Sequence, residues 1–301
     1  MLLMRASISE GRPPGRLARV VSRGLGVLLL GLLLPLSAAG ANLLESLRGE
    51  PAPGALMIGK TAADVTVTLE GQPLALTPTG WFAFGFGRDD SGSKTLTLVR
   101  GEQRQAIELT LSPREWQVQY VEGVPKETVT PPAEQLKRIR EEAALVRAAR
   151  ETRSALEGFL EEFIWPASGP ISGVYGSQRF YNGEPRRPHF GVDIAAPTGT
   201  PVYAPASGRV TLVHPDMFFS GGTLVLDHGY GVSSTFIHLD RVLVEQGAMV
   251  KRGDLIARIG SSGRATGPHL DWRINWHEER LDPQWFLGGE GLEEVRSPAA
   301  P

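Results

Sequence analysis

A histidine and an aspartate, His189 and Asp193, stand four positions apart where an apolar stretch punctuated by glycine and proline begins. An imidazole nitrogen and a carboxylate oxygen are both good ligands for zinc. On a flat strand the two residues would lie about 13 Å apart, which is too far to share an ion. Gly191 lies between them and can bend or bulge the backbone. We therefore predict that His189 and Asp193 bind one metal ion.

A second group of polar residues lies in the segment 269–276, where polar and apolar residues alternate. One face of a strand would then carry the polar set His269, Asp271, Arg273 and Asn275. Residues two positions apart lie about 7 Å apart on such a face. His269 and Asp271 are therefore close enough to serve one metal site in different roles. The pattern predicts a strand with one core face and one polar face.

The run His-Phe-Gly-Val-Asp-Ile-Ala-Ala-Pro-Thr-Gly-Thr-Pro-Val at 189–202 resembles the first metal motif of the M23 (LytM/lysostaphin-type) zinc endopeptidases. The resemblance extends over about residues 163–288 and continues in three later segments: Ser207-Gly208-Arg209-Val210, Phe236-Ile237-His238-Leu239 and Gly267-Pro268-His269-Leu270. It implies a β-rich domain that binds zinc and cuts peptide cross-links in bacterial peptidoglycan.

The same resemblance implies a role for each motif residue. His189 and Asp193 match zinc ligands, and His238 and His269 match the catalytic histidines that flank the attacking water. The family's last motif is His-x-His, whereas this chain has His269 and then Asp271. A carboxylate oxygen and an imidazole Nδ1 each lie one bond beyond Cγ. Asp271 is therefore the expected third zinc ligand.

The aspartate at position 271 leaves two interpretations open. Two carboxylates would place two negative charges on Zn²⁺ instead of one. That should weaken the ion as a Lewis acid and raise the pKa of water bound to it. We expect a functional zinc site, and the alternative is a degenerate site that holds metal poorly.

Other charged residues have less specific assignments. Arg179 and Arg273 are candidates for binding substrate carboxylates or for ordering those of the site, because arginine forms bidentate pairs with carboxylate. A structural salt bridge is the alternative for both. His228 is interpreted as a turn residue near the site.

Composition limits the class of protein. With 301 residues, 41% hydrophobic and 21% charged, the chain is long enough for two domains and has a globular composition. The 36 glycines and 23 prolines favour turn-rich β structure over helix bundles. Since the chain has no cysteine, any zinc must be held by histidines and carboxylates.

Residues 1–41 are predicted to be an export signal. Five arginines precede an apolar run at 24–36, and small residues at 37–41 suit cleavage. An uncleaved membrane anchor is the alternative, because the run approaches the length of a span. Removal of the segment takes away five Arg and one Glu and lowers the formal net charge from −2 to −6. A mildly acidic chain lacks the excess of positive charge that is typical of proteins that bind nucleic acid. Because of the export signal, we expect the protein in the periplasm or cell envelope.

The chain after the signal is predicted to be mainly β. Residues 42–123 contain short alternating segments separated by turns, which is typical of a small β-sandwich-like module. Its aromatic cluster is expected in the core, with a binding patch for glycan as the alternative: Trp81, Phe82, Phe84 and Phe86.

The rest of the chain divides into three predicted parts. Residues 124–163 combine a Pro/Thr-rich linker with an amphipathic helix that should end near Trp165, before a proline. Residues 164–288 are the expected M23-like peptidase domain, and residues 289–301 a flexible tail.

Three functions fit these features. The first is a zinc endopeptidase that hydrolyses peptidoglycan stem or cross-link peptides. The second is a regulator that binds zinc weakly or not at all and has another cell-wall hydrolase as its partner; Asp271 and the long helix leave room for it. The third is a structural cell-wall binding protein, which would not explain the histidines. A site that no longer catalyses a reaction has no physical reason to keep all four residues that match the family's motifs. We therefore favour the zinc endopeptidase. The four residues are His189, Asp193, His238 and His269.

Overall fold

The computed structural model describes residues 42–122 and 133–287. The predicted signal peptide at 1–41, the first part of the linker and the predicted tail at 289–301 lie outside the described residues. Within the described ranges, no helix is both long and apolar enough to cross a membrane.

The amino-terminal module is a sandwich of two small antiparallel sheets. Its strands are β1 (Leu44–Arg48), β2 (Leu56–Thr61), β3 (Thr66–Leu69), β4 (Gln72–Pro73), β5 (Trp81–Gly85), β6 (Ser93–Arg100) and β7 (Gln103–Thr110). One sheet has the order β1-β2-β5 and the other β4-β3-β6-β7. The alternating segments of the sequence correspond to β3, β5, β6 and β7, whereas β1 and β2 were not predicted.

The aromatic cluster of β5 lies mainly in the core of this sandwich. The side chains of Phe82, Phe84 and Phe86 are almost fully buried between the two sheets. Their spacing of two places all three on one face of the extended chain. Trp81 is only half-buried. The core interpretation is confirmed for the three phenylalanines.

β8 (Val118–Val121) follows the sandwich strands, and the predicted linker and helix region contains one α-helix, α1 (Leu136–Arg150). The prediction that the helix continues to Trp165 is wrong. After α1 the chain is extended apart from a short 3-10 turn at Gly158–Leu160. The extended path places Phe159 and Phe163 in the core of the carboxyl-terminal domain, so burial of these rings outweighs the helical spacing of the sequence.

The carboxyl-terminal domain is built on one large antiparallel sheet. Its strands are β9 (Ile171–Gly173), β10 (Gln178–Tyr181), β11 (Glu184–Pro185), β12 (Val192–Ala195), β13 (Pro201–Tyr203), β14 (Gly208–Met217), β15 (Gly221–Gly229), β16 (Val232–Val242), β17 (Met249–Val250), β18 (Leu255–Ile259), β19 (His269–Trp276) and β20 (Glu279–Leu281). The main path of this ten-stranded sheet is β17-β14-β15-β16-β19-β12-β9, and β13, β18 and β20 are attached to it. β10 and β11 lie outside it and form a separate three-stranded sheet with β8, in the order β11-β10-β8. β19 thus lies between β16 and β12.

The sandwich packs directly against the carboxyl-terminal domain. Leu56 and Ala83 of the sandwich belong to the same buried cluster as Leu281. Nearby, the buried carboxylate of Asp282 forms an ion pair with Arg114. The two modules therefore share a continuous core and an ion pair.

Candidate metal centre

Strands β12 and β19 bring the three predicted metal ligands together. In their antiparallel register Asp193 lies directly opposite Asp271. His189 precedes β12, and its ring lies beside both carboxylates. The potential ligand atoms of His189, Asp193 and Asp271 all lie within 4.8 Å of one another. A single ion could contact all three.

Two glycines make room for the two carboxylates. A Cβ atom at Gly173 would collide with the carboxylate of Asp193, and one at Gly191 would collide with that of Asp271. Gly191 was predicted to bend the chain between His189 and Asp193. The backbone bends at Gly191, as predicted, and the missing side chain also lets the Asp271 carboxylate approach the backbone closely.

Two buried atoms of this cluster face each other. Nε2 of His189 and Oδ1 of Asp193 lie 3.2 Å apart, and neither makes a hydrogen bond of suitable geometry within the described ranges. Buried polar atoms without partners are rare. A separation of about 3.3 Å is expected between two ligands that bind one tetrahedral zinc ion at about 2 Å each. The pair therefore fits a zinc ion.

Asp271 is buried, and its carboxylate is held by Arg273. Nε of Arg273 donates to Oδ1 at 2.9 Å, and Nη2 donates to Oδ2. Burial by itself would raise the pKa of Asp271, but the charge and the hydrogen bonds of Arg273 lower this pKa to about 2. Like charges directly opposite each other on neighbouring strands are destabilising, so Arg273 offsets the repulsion between Asp271 and Asp193. Of the roles considered for Arg273, its contacts support the ordering of a site carboxylate.

His238 and His269 face each other next to the cluster, with ring centroids 4.8 Å apart. Nδ1 of His238 lies 2.8 Å from the carbonyl oxygen of Ser262, and Nδ1 of His269 lies 2.8 Å from that of Gly267. A carbonyl oxygen only accepts, so Nδ1 carries the proton in both rings. In the neutral rings Nε2 is then the proton acceptor. Nε2 of His269 lies 4.0 Å from Oδ1 of Asp193.

His238 has an unusual backbone conformation for a strand residue. Its φ of 64° lies in the left-handed region, and its N–H donates to the carbonyl of Ser220 at 2.8 Å. Burial lowers the pKa of the ring, which keeps it neutral at pH 7. Strained residues that surrounding contacts hold in place are frequent at active sites. His238 is thus held as a neutral base beside the candidate metal centre.

Arg179 is not part of this cluster. It lies on β10, and its Nε donates to Oε1 of Gln119 at 3.1 Å. Gln119 belongs to β8, which pairs with β10 in parallel. Arg179 forms no ion pair in the part of the chain that the structure describes. Substrate contact by Arg179 stays a prediction.

His228 is a buried residue of β15, so the prediction that it lies in a turn was wrong. Its Nδ1 lies 2.9 Å from the carbonyl oxygen of Ser207, and its Nε2 lies 2.8 Å from Oγ of Ser234. Burial lowers the pKa of this ring. Both nitrogens are engaged in hydrogen bonds within the core, which leaves none for chemistry.

Two supporting residues were missed by sequence reasoning. Gly173, which makes room for Asp193, is the last residue of β9. A glycine inside a strand pattern signals close backbone approach, and that signal was available. Ser262 orients His238 through its main-chain carbonyl, a role that no side-chain pattern encodes.

Comparison with known proteins identifies the domain. Residues 187–283 match the sequence model of Peptidase family M23. They form an M23 domain. The family resemblance and the mainly β fold that it implied are thereby confirmed.

Two curated relatives and one solved structure are similar to the chain. The peptidoglycan DD-endopeptidase ShyB of Vibrio cholerae is 44% identical over 89 residues, which are 29% of this chain and 20% of ShyB. The uncharacterized lipoprotein YgeR of Escherichia coli is 30% identical over 129 residues, which are 43% of this chain and 48% of YgeR. A crystal structure from Pseudomonas aeruginosa assigned to peptidase M23 is 29% identical with a TM-score of 0.62, and it covers 79% of this chain and 96% of that one. The chain thus spans between a fifth and a half of the length of the two curated relatives.

Proposed function

We propose that the M23 domain is a zinc-dependent endopeptidase that hydrolyses stem or cross-link peptides of peptidoglycan in the periplasm or cell envelope. The observation that carries this proposal is the buried pair of His189 Nε2 and Asp193 Oδ1 next to Asp271, neither of which makes a hydrogen bond among the residues that the structure describes. The substrate class is supported by similarity to ShyB, which is named a peptidoglycan DD-endopeptidase.

The chain's own residues have distinct parts in this reaction. His189, Asp193 and Asp271 would hold the ion. When bound, zinc would polarise the carbonyl group of the scissile peptide and activate water towards it. His238 and His269 present their Nε2 atoms, because their Nδ1 protons are held by main-chain carbonyls. One ring would accept the proton of the attacking water and then, as a cation, stabilise the negative charge that develops on the carbonyl oxygen.

The Asp271–Arg273 pair bears on the charge of the centre. A carboxylate with a bidentate guanidinium partner has no net charge, as a neutral imidazole has none. Arg273 therefore offsets the second negative charge that Asp271 brings in place of histidine. The expected weakening of the ion as a Lewis acid is correspondingly smaller.

A regulator with weak or no zinc binding is the second candidate. The observation that favours it is that both oxygens of Asp271 already accept hydrogen bonds from Arg273. Arg273 then competes with the metal for this carboxylate. Such a protein would act by binding another cell-wall hydrolase.

Zinc content measured by elemental analysis tests the proposal. We expect about one zinc per chain in the purified protein and in a His214→Ala control, which lies outside the cluster, and none in His189→Ala. The zinc-loaded protein should also release new amino and carboxyl ends from purified peptidoglycan. A parent protein that takes up no zinc on reconstitution would contradict the enzyme and support the regulator. Zinc binding without release of peptide ends would contradict the proposed substrate.

A further inference from the structure

Three arginines from three different elements lie beside the candidate metal centre, and the charge of a fourth, Arg150, acts on one of them. Arg150 is the last residue of α1, Arg187 lies in the loop before His189, and Arg273 and Arg280 lie on β19 and β20. The guanidinium carbons of Arg187 and Arg280 lie 5.5 and 6.0 Å from the centre of one ring, that of Phe190.

The hydrogen-bond ladder fixes the position of Arg280 relative to Arg273. Arg280 lies opposite Asn275 in the pairing of β20 with β19, and its Nη1 donates to Oδ1 of Asn275 at 3.5 Å. Asn275 is two positions from Arg273 and four from Asp271, on the same face of β19. Phe190 is next to the candidate ligand His189. The arginine cluster therefore adjoins the metal ligands.

Within the described residues, three of the four arginines have no carboxylate as an ion-pair partner. Arg273 is paired with Asp271. Arg150, Arg187 and Arg280 form no ion pair among residues 42–122 and 133–287. In addition, Nε of Arg150 is buried and has no hydrogen-bond partner in the described part of the chain. The cluster thus holds three positive charges that no described carboxylate contacts.

Electrostatics gives a reason to expect an anion here. Burial, together with the charges of Arg150, Arg273 and Arg187, lowers the pKa of Arg280 to about 8. Burial and the charge of Arg273 lower that of Arg150 to about 10. Since a guanidinium keeps its proton in proteins, a bound anion relieves this repulsion more readily than deprotonation does.

We infer that Arg150, Arg187 and Arg280 form an anion site that binds a carboxylate of the peptide substrate next to the metal centre. Planar guanidinium groups suit a carboxylate, which they bind with paired hydrogen bonds. The identity of the ligand as a substrate peptide rests on the proposed function, but binding of the anion does not require hydrolysis. The assignment moves carboxylate recognition from Arg179 and Arg273 to three arginines that are not paired with carboxylates.

Peptide binding to the full chain, made metal-free with a chelator, tests this inference. The probes are N-acetyl-tetraalanine with a free carboxylate, the same peptide with a carboxyl-terminal amide, and inorganic phosphate, each measured by calorimetry. We expect the free acid to bind at least about tenfold more tightly than the amide, because only the acid supplies a charged acceptor. This preference should be lost in Arg187→Gln and Arg280→Gln.

Arg252→Gln is the matched control, because Arg252 is an exposed arginine of the same domain outside the cluster. It should keep the full preference for the acid. Removal of a like charge should leave the melting temperature of the two cluster variants at or above that of the parent, so loss of folding would not mimic loss of the site. Equal binding of acid and amide, or no binding of either, would overturn the inference. Phosphate binding without a preference for the acid would overturn the assignment to a peptide carboxylate.

The outcome is separable from that of the proposed function. Zinc content and release of peptide ends from peptidoglycan are measured on the same preparations. A protein that prefers the free acid but takes up no zinc retains the anion site and overturns only the enzyme. A zinc-loaded, active protein that does not distinguish acid from amide overturns only the anion site.

Discussion

The core of the amino-terminal sandwich and the central sheet of the M23 domain bury different kinds of side chain. Among the described residues, the sandwich core is aliphatic and aromatic, and its buried polar residues are threonines. The central sheet buries ionisable and amide side chains as well: Asp227, His228, His238, Asp271 and Asn275.

The two cores therefore differ in the free-energy terms that determine their stability. The sandwich is stabilised by apolar area removed from water, a term with no titrating group in it. In the sheet, each buried polar group costs free energy unless a hydrogen bond or an opposite charge compensates it. The sandwich core therefore contributes only stability. The central sheet also holds the polar side chains of the candidate site, and their burial lowers its stability unless it is compensated. Substitutions in the two regions should consequently be detected by different measurements.

The largest effect is expected for His238→Ala. Removing a positioned general base should lower kcat/KM for peptidoglycan hydrolysis by about 10²- to 10⁴-fold. Zinc content should stay unchanged, because His238 is not among the three clustered ligands. Release of peptide ends measured beside His214→Ala provides the comparison, and activity within a factor of a few of the parent would remove His238 from the mechanism.

In the sandwich, Phe84→Ala should lower the free energy of unfolding by about 3–5 kcal/mol, since it leaves a cavity in a core where Phe84 is fully buried. Urea denaturation measures the change. Tyr120→Ala is the control, because Tyr120 is 71% exposed and should cost less than about 1 kcal/mol. If the folded Phe84→Ala protein had a changed zinc affinity, this would contradict the claim that the sandwich core affects stability but not the metal centre.

Arg273→Gln should have effects of opposite sign on stability and metal binding. Without its partner, buried Asp271 faces Asp193 unpaired, and the metal-free protein should lose about 3 kcal/mol of unfolding free energy. Zinc should bind about tenfold more tightly or better, because a positive charge near the ion is gone. Chelator competition measures the affinity. Weaker zinc binding would mean that Arg273 acts chiefly by positioning Asp271.

The smallest effect concerns His228 and pH. Because burial lowers its pKa in the folded state, the unfolded chain binds the proton first as pH falls below about 6.5. Stability is then fully present above that pH and decreases below it, by at most about 1.4 kcal/mol per pH unit for this one group. His228→Gln should flatten the decrease between pH 7 and 5 relative to His214→Gln. Parallel curves for the two variants in urea denaturation would show that His228 does not contribute.

The sequence predicted those features that depend on local pattern. Alternation identified β19 and most of the sandwich strands, and the motif spacing identified the residues that cluster as His189, Asp193 and Asp271. The end of α1 at Arg150 was not predictable, because burial of Phe159 and Phe163 decides it. The arginine cluster was not predictable either, since a helix end, a loop and two strands contribute to it and no local spacing relates them.

The positions of Gly173 and Arg114 have a consequence for how this domain can be transferred between proteins. Residues 187–283 are the part that the family has in common, but Gly173, which makes room for Asp193, lies on β9 outside that range. Arg114, the partner of Asp282, also lies outside it. A gene fusion that moved only residues 187–283 would omit Gly173, which packs against the Asp193 carboxylate, and Arg114, which pairs with Asp282. For this protein, the segment that matches the family is smaller than the part of the chain that builds the site and its ion pairs.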